Sequence, residues 1–106
     1  MWCVEIDLRL HNRKALLAHP MHPRFKVFDG SSVDTTIAAT IAKKAAKRDR
    51  VMVIIGSNHT HEHVLREMNL YASLVSVGSY CVVFDTVIED LDGVKFVDRS
   101  WGRAII

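Results

Sequence analysis

Histidines, hydroxyls and a carboxylate crowd the run Ser57-Asn58-His59-Thr60-His61-Glu62-His63, which follows the apolar stretch Val51–Ile55 and Gly56. Imidazoles titrate near neutral pH, so His59 and His61 are candidates for a general base or a substrate contact. Zinc ligation is the other chemistry that clustered histidines invite, and their spacing argues against it. His59 and His63 share a helix face at i, i+4 while His61 points elsewhere. The His-Glu-x-x-His spacing is absent and neither cysteine lies nearby. The competing structural reading is that these side chains satisfy the free N–H groups of a helix start. Glu62 is favoured there by the helix dipole whatever the function.

The elements around this run explain its placement. Val51–Ile55 is a short apolar run without polar alternation, which suits a strand buried on both faces. The polar run then emerges at the strand's carboxyl end, where open α/β sheets bind their ligands. Thr60–Ser73 predicts an amphipathic helix, with Val64, Leu65, Met68 and Tyr71 facing inward and Thr60 able to cap. Upstream, Met1–Asp7 reads as a strand, Arg9–His19 as a short helix ended by Pro20, and Arg24–Phe28 as a strand of period two. The turn formers Asp29-Gly30-Ser31-Ser32 lead into a helix from Asp34 to about Lys47, with Ile37, Ile41 and Ala45 at spacings of four and Ser32 or Asp34 as cap. Ser79–Asp85 is another apolar strand, ending in an acid. Beyond Val87 the periodicity fades, and Glu89–Gly93 and Asp98–Arg103 read as loops. Strand and helix alternating at these lengths predict a parallel sheet with helical crossovers.

Composition narrows the class. With 106 residues, 49% hydrophobic and 25% charged, the chain is one globular domain and not a disordered segment. A net charge of +2 gives no reason to expect nucleic acid, and Lys43, Lys44, Lys47, Arg48 and Arg50 read as the wet face and end of one helix. Cys3 and Cys81 fall in apolar runs and read as buried free thiols, so a reducing cytoplasm is the default compartment. No apolar run reaches the roughly 18–20 residues of a membrane span.

Taken in order, several stretches resemble the cephalosporin hydroxylase / rhamnosyl O-methyltransferase family. They are Glu5-Ile6-Asp7-Leu8-Arg9 with His11-Asn12-Arg13, Ala18-His19-Pro20-Met21, Gly30-Ser31-Ser32, Ser57–Leu65, Leu74–Tyr80, Asp85-Thr86, Glu89-Asp90-Leu91, and Asp98-Arg99 with Trp101-Gly102. The resemblance implies an α/β, Rossmann-like parallel sheet with flanking helices, of the kind found in S-adenosylmethionine-dependent methyltransferases. It also implies that residues 1–106 are an internal fragment, because the family's earlier strand and glycine-rich cofactor turn have no counterpart here. On that reading the sheet is incomplete, and its exposed edge favours association with another copy or another polypeptide.

The same resemblance assigns candidate roles. Glu5, or Asp7 two residues on, would accept hydrogen bonds from both ribose hydroxyls of S-adenosylmethionine, since a carboxylate offers two acceptor oxygens to a diol. Asp29, Ser31 and Ser32 would meet the adenine edge; as turn and cap residues they also have a purely local explanation. Asp85 would help bind Mg²⁺, a hard cation that lowers a hydroxyl's pKa. Two positions depart from the family: Gly56 replaces its usual Asp, and Phe84 stands where a second carboxylate would help. Without metal, His59 or His61 is the candidate base. Trp2 and Trp101 read as core or rim aromatics, with Trp101 a candidate to line a sugar or polyketide pocket. The implied function is O-methyl transfer to a sugar or other small-molecule hydroxyl, in glycolipid or surface-glycan synthesis. The alternatives are a hydroxylase-type antibiotic-tailoring component and an inert truncated product. The expectation common to these roles is that Glu5, Asp29, His59 and Asp85 converge on one rim.

Overall fold

A computed structural model describes residues 1–58 and 60–85. They form two compact units that divide after Ile41, inside one helix. Each unit contains a strand, a helix and a second strand parallel to the first, the α/β pattern predicted from the sequence.

In the first unit, β1 (Trp2–Glu5) leads to α1 (Leu10–Ala18), a 3-10 turn (His22–Arg24) and β2 (Lys26–Asp29). The parallel register places Trp2 beside Lys26 and Glu5 beside Asp29, so both strands end in an acid at the same edge. Helix α1 has no buried residue, since its leucines are scattered among Arg13 and Lys14 and make no continuous apolar stripe. Pro20 follows its end, where the chain turns and His22 meets the ring of Phe25 edge-on at 5.6 Å.

The turn after β2 depends on Gly30. Its φ of +155° is a conformation that side chains rarely adopt, and a Cβ there would lie 2.7 Å from Cδ1 of Ile37. The Gly30 N–H donates to the Glu5 carbonyl at 2.9 Å, closing the edge of the pair. Helix α2 (Thr35–Ala45) then begins at Asp34, whose Oδ1 accepts from the N–H groups of Thr36 (2.8 Å) and Ile37 (3.2 Å). Asp34, not Ser32, is therefore the cap. Lys43 and Lys44 lie in the last turn, as the dipole favours.

In the second unit, β3 (Val53–Ile55) pairs with β4 (Cys81–Val83), with Val53 beside Cys81 and Ile55 beside Val83. Ser76 fixes the chain just before β3: its hydroxyl accepts from Val51 N–H at 2.7 Å and its own N–H donates to the Val51 carbonyl at 3.1 Å. Between the strands, α3 (His61–Tyr71) carries the buried Val64, Glu67 and Tyr71, spaced by three and four residues along one face. Thr60 caps it, its side chain accepting from His63 N–H at 3.4 Å.

Several details differ from the sequence expectation. Among the described residues the strands form two two-stranded sheets, without the single continuous sheet expected, because the strand ladders close within each unit. Strand β3 is covered on one face only. Ile55 is buried, while Met52 and Ile54 are more than half exposed. Leu65 faces out at 48% exposure because the inward stripe runs through Val64, Glu67 and Tyr71. Both cysteines are free, as expected, but Cys3 is only half-buried and Cys81 is exposed. Among the described residues no helix is long and apolar enough to cross a membrane.

Gly30→Ala is expected to destabilise the protein by about 1–3 kcal/mol, the cost of a side chain forced into glycine-only backbone space. Urea unfolding of the variant against wild type checks this. An unchanged midpoint would show that the turn relaxes without cost.

Candidate functional site

Two strand edges carry the polar groups. In the first unit, Glu5 and Asp29 are neighbours by register and both are exposed. Glu5 Oε1 accepts from the Asp7 N–H at 3.1 Å, which folds Asp7 back toward the end of β1. The Asp7 carboxylate is turned to Arg9, with Nε at 3.3 Å from Oδ2. Asp29 pairs with the guanidinium of Arg13, reaching from α1. Both ion pairs are largely exposed and contribute little to stability, but they orient the carboxylates. The Ser31 hydroxyl accepts from Val33 N–H at 3.3 Å and its carbonyl from Asp34 N–H at 3.1 Å, so Ser31 shapes the turn ahead of α2. Ser32, beside it, is half-buried. The structure thus brings Glu5, Asp7, Asp29, Ser31 and Ser32 to one end of the β1–β2 pair.

In the second unit, the chain leaves β3 through Gly56 and Ser57 and leaves β4 through Phe84 and Asp85. The Phe84 N–H donates to the Ile55 carbonyl at 2.9 Å, so the two exits are side by side. His61 is the first residue of α3 and is exposed. His59 lies outside the described residues, as do the Glu89–Gly93 loop and Trp101. Asp85 is exposed with φ of 60°, the left-handed region that Asp tolerates better than most side chains.

Two contributing residues escaped sequence reasoning. Arg13 was legible only as a surface charge on α1. Glu67 is buried and gathers the exposed Ser57 and the half-buried His63 around its carboxylate. Its Oε1 accepts from the Ser57 hydroxyl at 2.5 Å and stands 3.3 Å from Nε2 of His63. Its signal was positional: it interrupts the apolar face three residues after Val64 and four before Tyr71, where a carboxylate is buried only with partners.

A divalent-metal site does not fit these residues. Gly56 offers no side-chain oxygen, and a Cβ there would meet Cδ2 of the Phe84 ring at 3.3 Å and its Cβ at 3.7 Å. A side chain at position 56 would therefore have to displace the half-exposed Phe84 ring slightly. Among the described residues no three His, Cys, Asp or Glu side chains gather as a metal would need. The Mg²⁺ role expected of Asp85 is therefore not supported: a hard cation needs several oxygen ligands together, and the described residues at this edge supply one carboxylate beside a phenyl group.

A family model described as rhamnosyl O-methyltransferase/CmcI matches residues 1–105. The chain belongs to this family. Curated relatives named rhamnosyl O-methyltransferase, from Mycobacterium bovis (strain BCG / Pasteur 1173P2) and Mycobacterium tuberculosis (strain ATCC 25618 / H37Rv), are 39% identical to it over 61 residues. The alignment covers 57% of this chain and 25% of each relative, so the matched stretch spans a quarter of their length. No solved structure matches significantly.

The contact between Phe84 and Gly56 yields a test. Gly56→Asp alone is expected to bind Mn²⁺ no better than wild type. Gly56→Asp with Phe84→Ala, which opens the space, should bind at least about tenfold more tightly, or roughly 1.4 kcal/mol. Calorimetric titration measures both, and equal affinity for the two variants would show that Phe84 does not close this edge.

Proposed function

We propose that the protein carrying this chain is an S-adenosylmethionine-dependent O-methyltransferase acting on a sugar hydroxyl or a related small-molecule acceptor. The observation that carries this reading is the register pairing of Glu5 with Asp29 at one strand edge, in a chain of the rhamnosyl O-methyltransferase/CmcI family. The names of the mycobacterial relatives favour a rhamnosyl acceptor, and with it glycolipid or surface-glycan synthesis.

The residues support a division of labour. Glu5 is exposed at the carboxyl end of β1, where its carboxylate can accept from both hydroxyls of a ribose diol. Asp29, oriented by Arg13, and the Gly30–Ser32 turn offer polar groups suited to the adenine edge. S-adenosylmethionine, when bound, supplies a methyl group on a positively charged sulfur. The imidazole of His61 or His59 would take the proton that the acceptor hydroxyl releases. The apolar surface left by Met52 and Ile54 gives a second copy, or the remainder of a longer domain, a face to cover.

Family membership alone does not fix the reaction, since one fold hosts different chemistries. Calorimetry with S-adenosylhomocysteine, followed by transfer of a labelled methyl group to rhamnosides, separates the readings. Micromolar binding with transfer supports methyl transfer. Binding without transfer supports the hydroxylase-type alternative, and no binding at millimolar ligand supports an inert product. Glu5→Gln is expected to weaken S-adenosylhomocysteine binding by roughly tenfold to a hundredfold, as charge-assisted hydrogen bonds worth about 1.5–3 kcal/mol become neutral. Unchanged affinity would remove Glu5 from the ribose site.

A further inference from the structure

We infer that Glu67 is a positioning residue for the imidazole-bearing start of α3, acting through Ser57 and His63; this rests on the methyl-transfer reading above. The Glu67 side chain is only 4% exposed and that of His63 20% exposed. A carboxylate this buried is costly unless hydrogen-bonded and paired. One of its oxygens, Oε1, takes the Ser57 hydroxyl at 2.5 Å and faces His63 Nε2 at 3.3 Å. It therefore joins the exit of β3 to the first turn of α3 at a single point.

The geometry is that of a clamp and not of a nucleophilic triad. In a Ser-His-acid relay the hydroxyl and the carboxylate address opposite nitrogens of the ring. Here Ser57 Oγ, at 3.5 Å, and Glu67 Oε1, at 3.3 Å, face the same nitrogen of His63, and the hydroxyl donates directly to the carboxylate. The clamp lies where the backbone most needs it. Gly56, immediately before Ser57, adds conformational freedom at the end of β3. Beyond Ser57, the Asn58 side chain accepts from Thr60 N–H at 2.9 Å and Thr60 caps His63 N–H. Together with Glu67 these bonds fix the turn from which His61 projects. A misplacement of about 1 Å in such a group costs on the order of a hundredfold in rate.

The test uses the full protein and reads kcat and KM for methyl transfer. Ser57 is exposed, so its truncation spares the core. Ser57→Ala is expected to lower kcat roughly tenfold to a hundredfold, with acceptor KM and S-adenosylhomocysteine affinity within about twofold of wild type. Ser57→Thr, which restores the hydroxyl, should recover most of the loss. Glu67→Gln, which keeps an acceptor oxygen for Ser57, should fall between them. A wild-type kcat in Ser57→Ala, or a loss that Ser57→Thr does not recover, overturns the inference. So does a KM that rises in step with the fall in kcat. Should wild type transfer no methyl group, the methyl-transfer reading fails separately, and amide hydrogen exchange decides on the clamp. Faster exchange at Thr60–His63 in Ser57→Ala, reversed in Ser57→Thr, supports it; unchanged exchange overturns it.

Discussion

Parallel pairing in register is the constraint on which the chemistry of this chain depends. A parallel pair aligns the carboxyl ends of its strands, and whatever side chains end those strands become neighbours. Glu5 faces Asp29 for this reason alone, although the sequence separates them by a helix and a turn. In the second unit the same geometry places the exit of β3 beside that of β4, so that Gly56 meets Phe84. The pairing is held by short ladders, extended by Gly30 N–H to the Glu5 carbonyl and by Phe84 N–H to the Ile55 carbonyl. Each of these outer bonds lies at the carboxyl end of its strand pair.

The two edges differ in character. The β1–β2 edge is polar and open, with carboxylates steered by Arg9 and Arg13. Such exposed pairs do little for folding but set the directions in which acceptor oxygens point. The β3–β4 edge combines a phenyl ring, a glycine and a clamp on a buried carboxylate. That combination suits a rigid turn presenting an imidazole better than it suits a hard cation. The family relationship supplies the expectation of methyl transfer.

Most of the element order was legible because its signals are local. Pro20 ends a helix, Thr60 and Asp34 cap helices through their own oxygens, and Gly30 and Gly78 mark turns of positive φ. What the sequence hid depends on neighbours in space. The apolar run at Val51–Ile55 reads as a strand buried twice over, but burial on its second face depends on a partner layer that local pattern does not encode. Leu65 reads as core by composition, whereas the helix turns Glu67 inward because Ser57 and His63 are there to satisfy it. The ion pair between Arg13 and Asp29 joins two elements and has no signature in either.

The central claim is that a nucleoside cofactor is held at the edge where β1 and β2 end. Mapping ¹H–¹⁵N shifts of the labelled protein during titration with S-adenosylhomocysteine tests it most directly. The account predicts saturable shifts concentrated at Glu5–Asp7 and Asp29–Ser32, with the amides in the middle of α1 and at Ser76–Ser79 unmoved. Saturable shifts that leave Glu5 and Asp29 untouched while clustering elsewhere would contradict it.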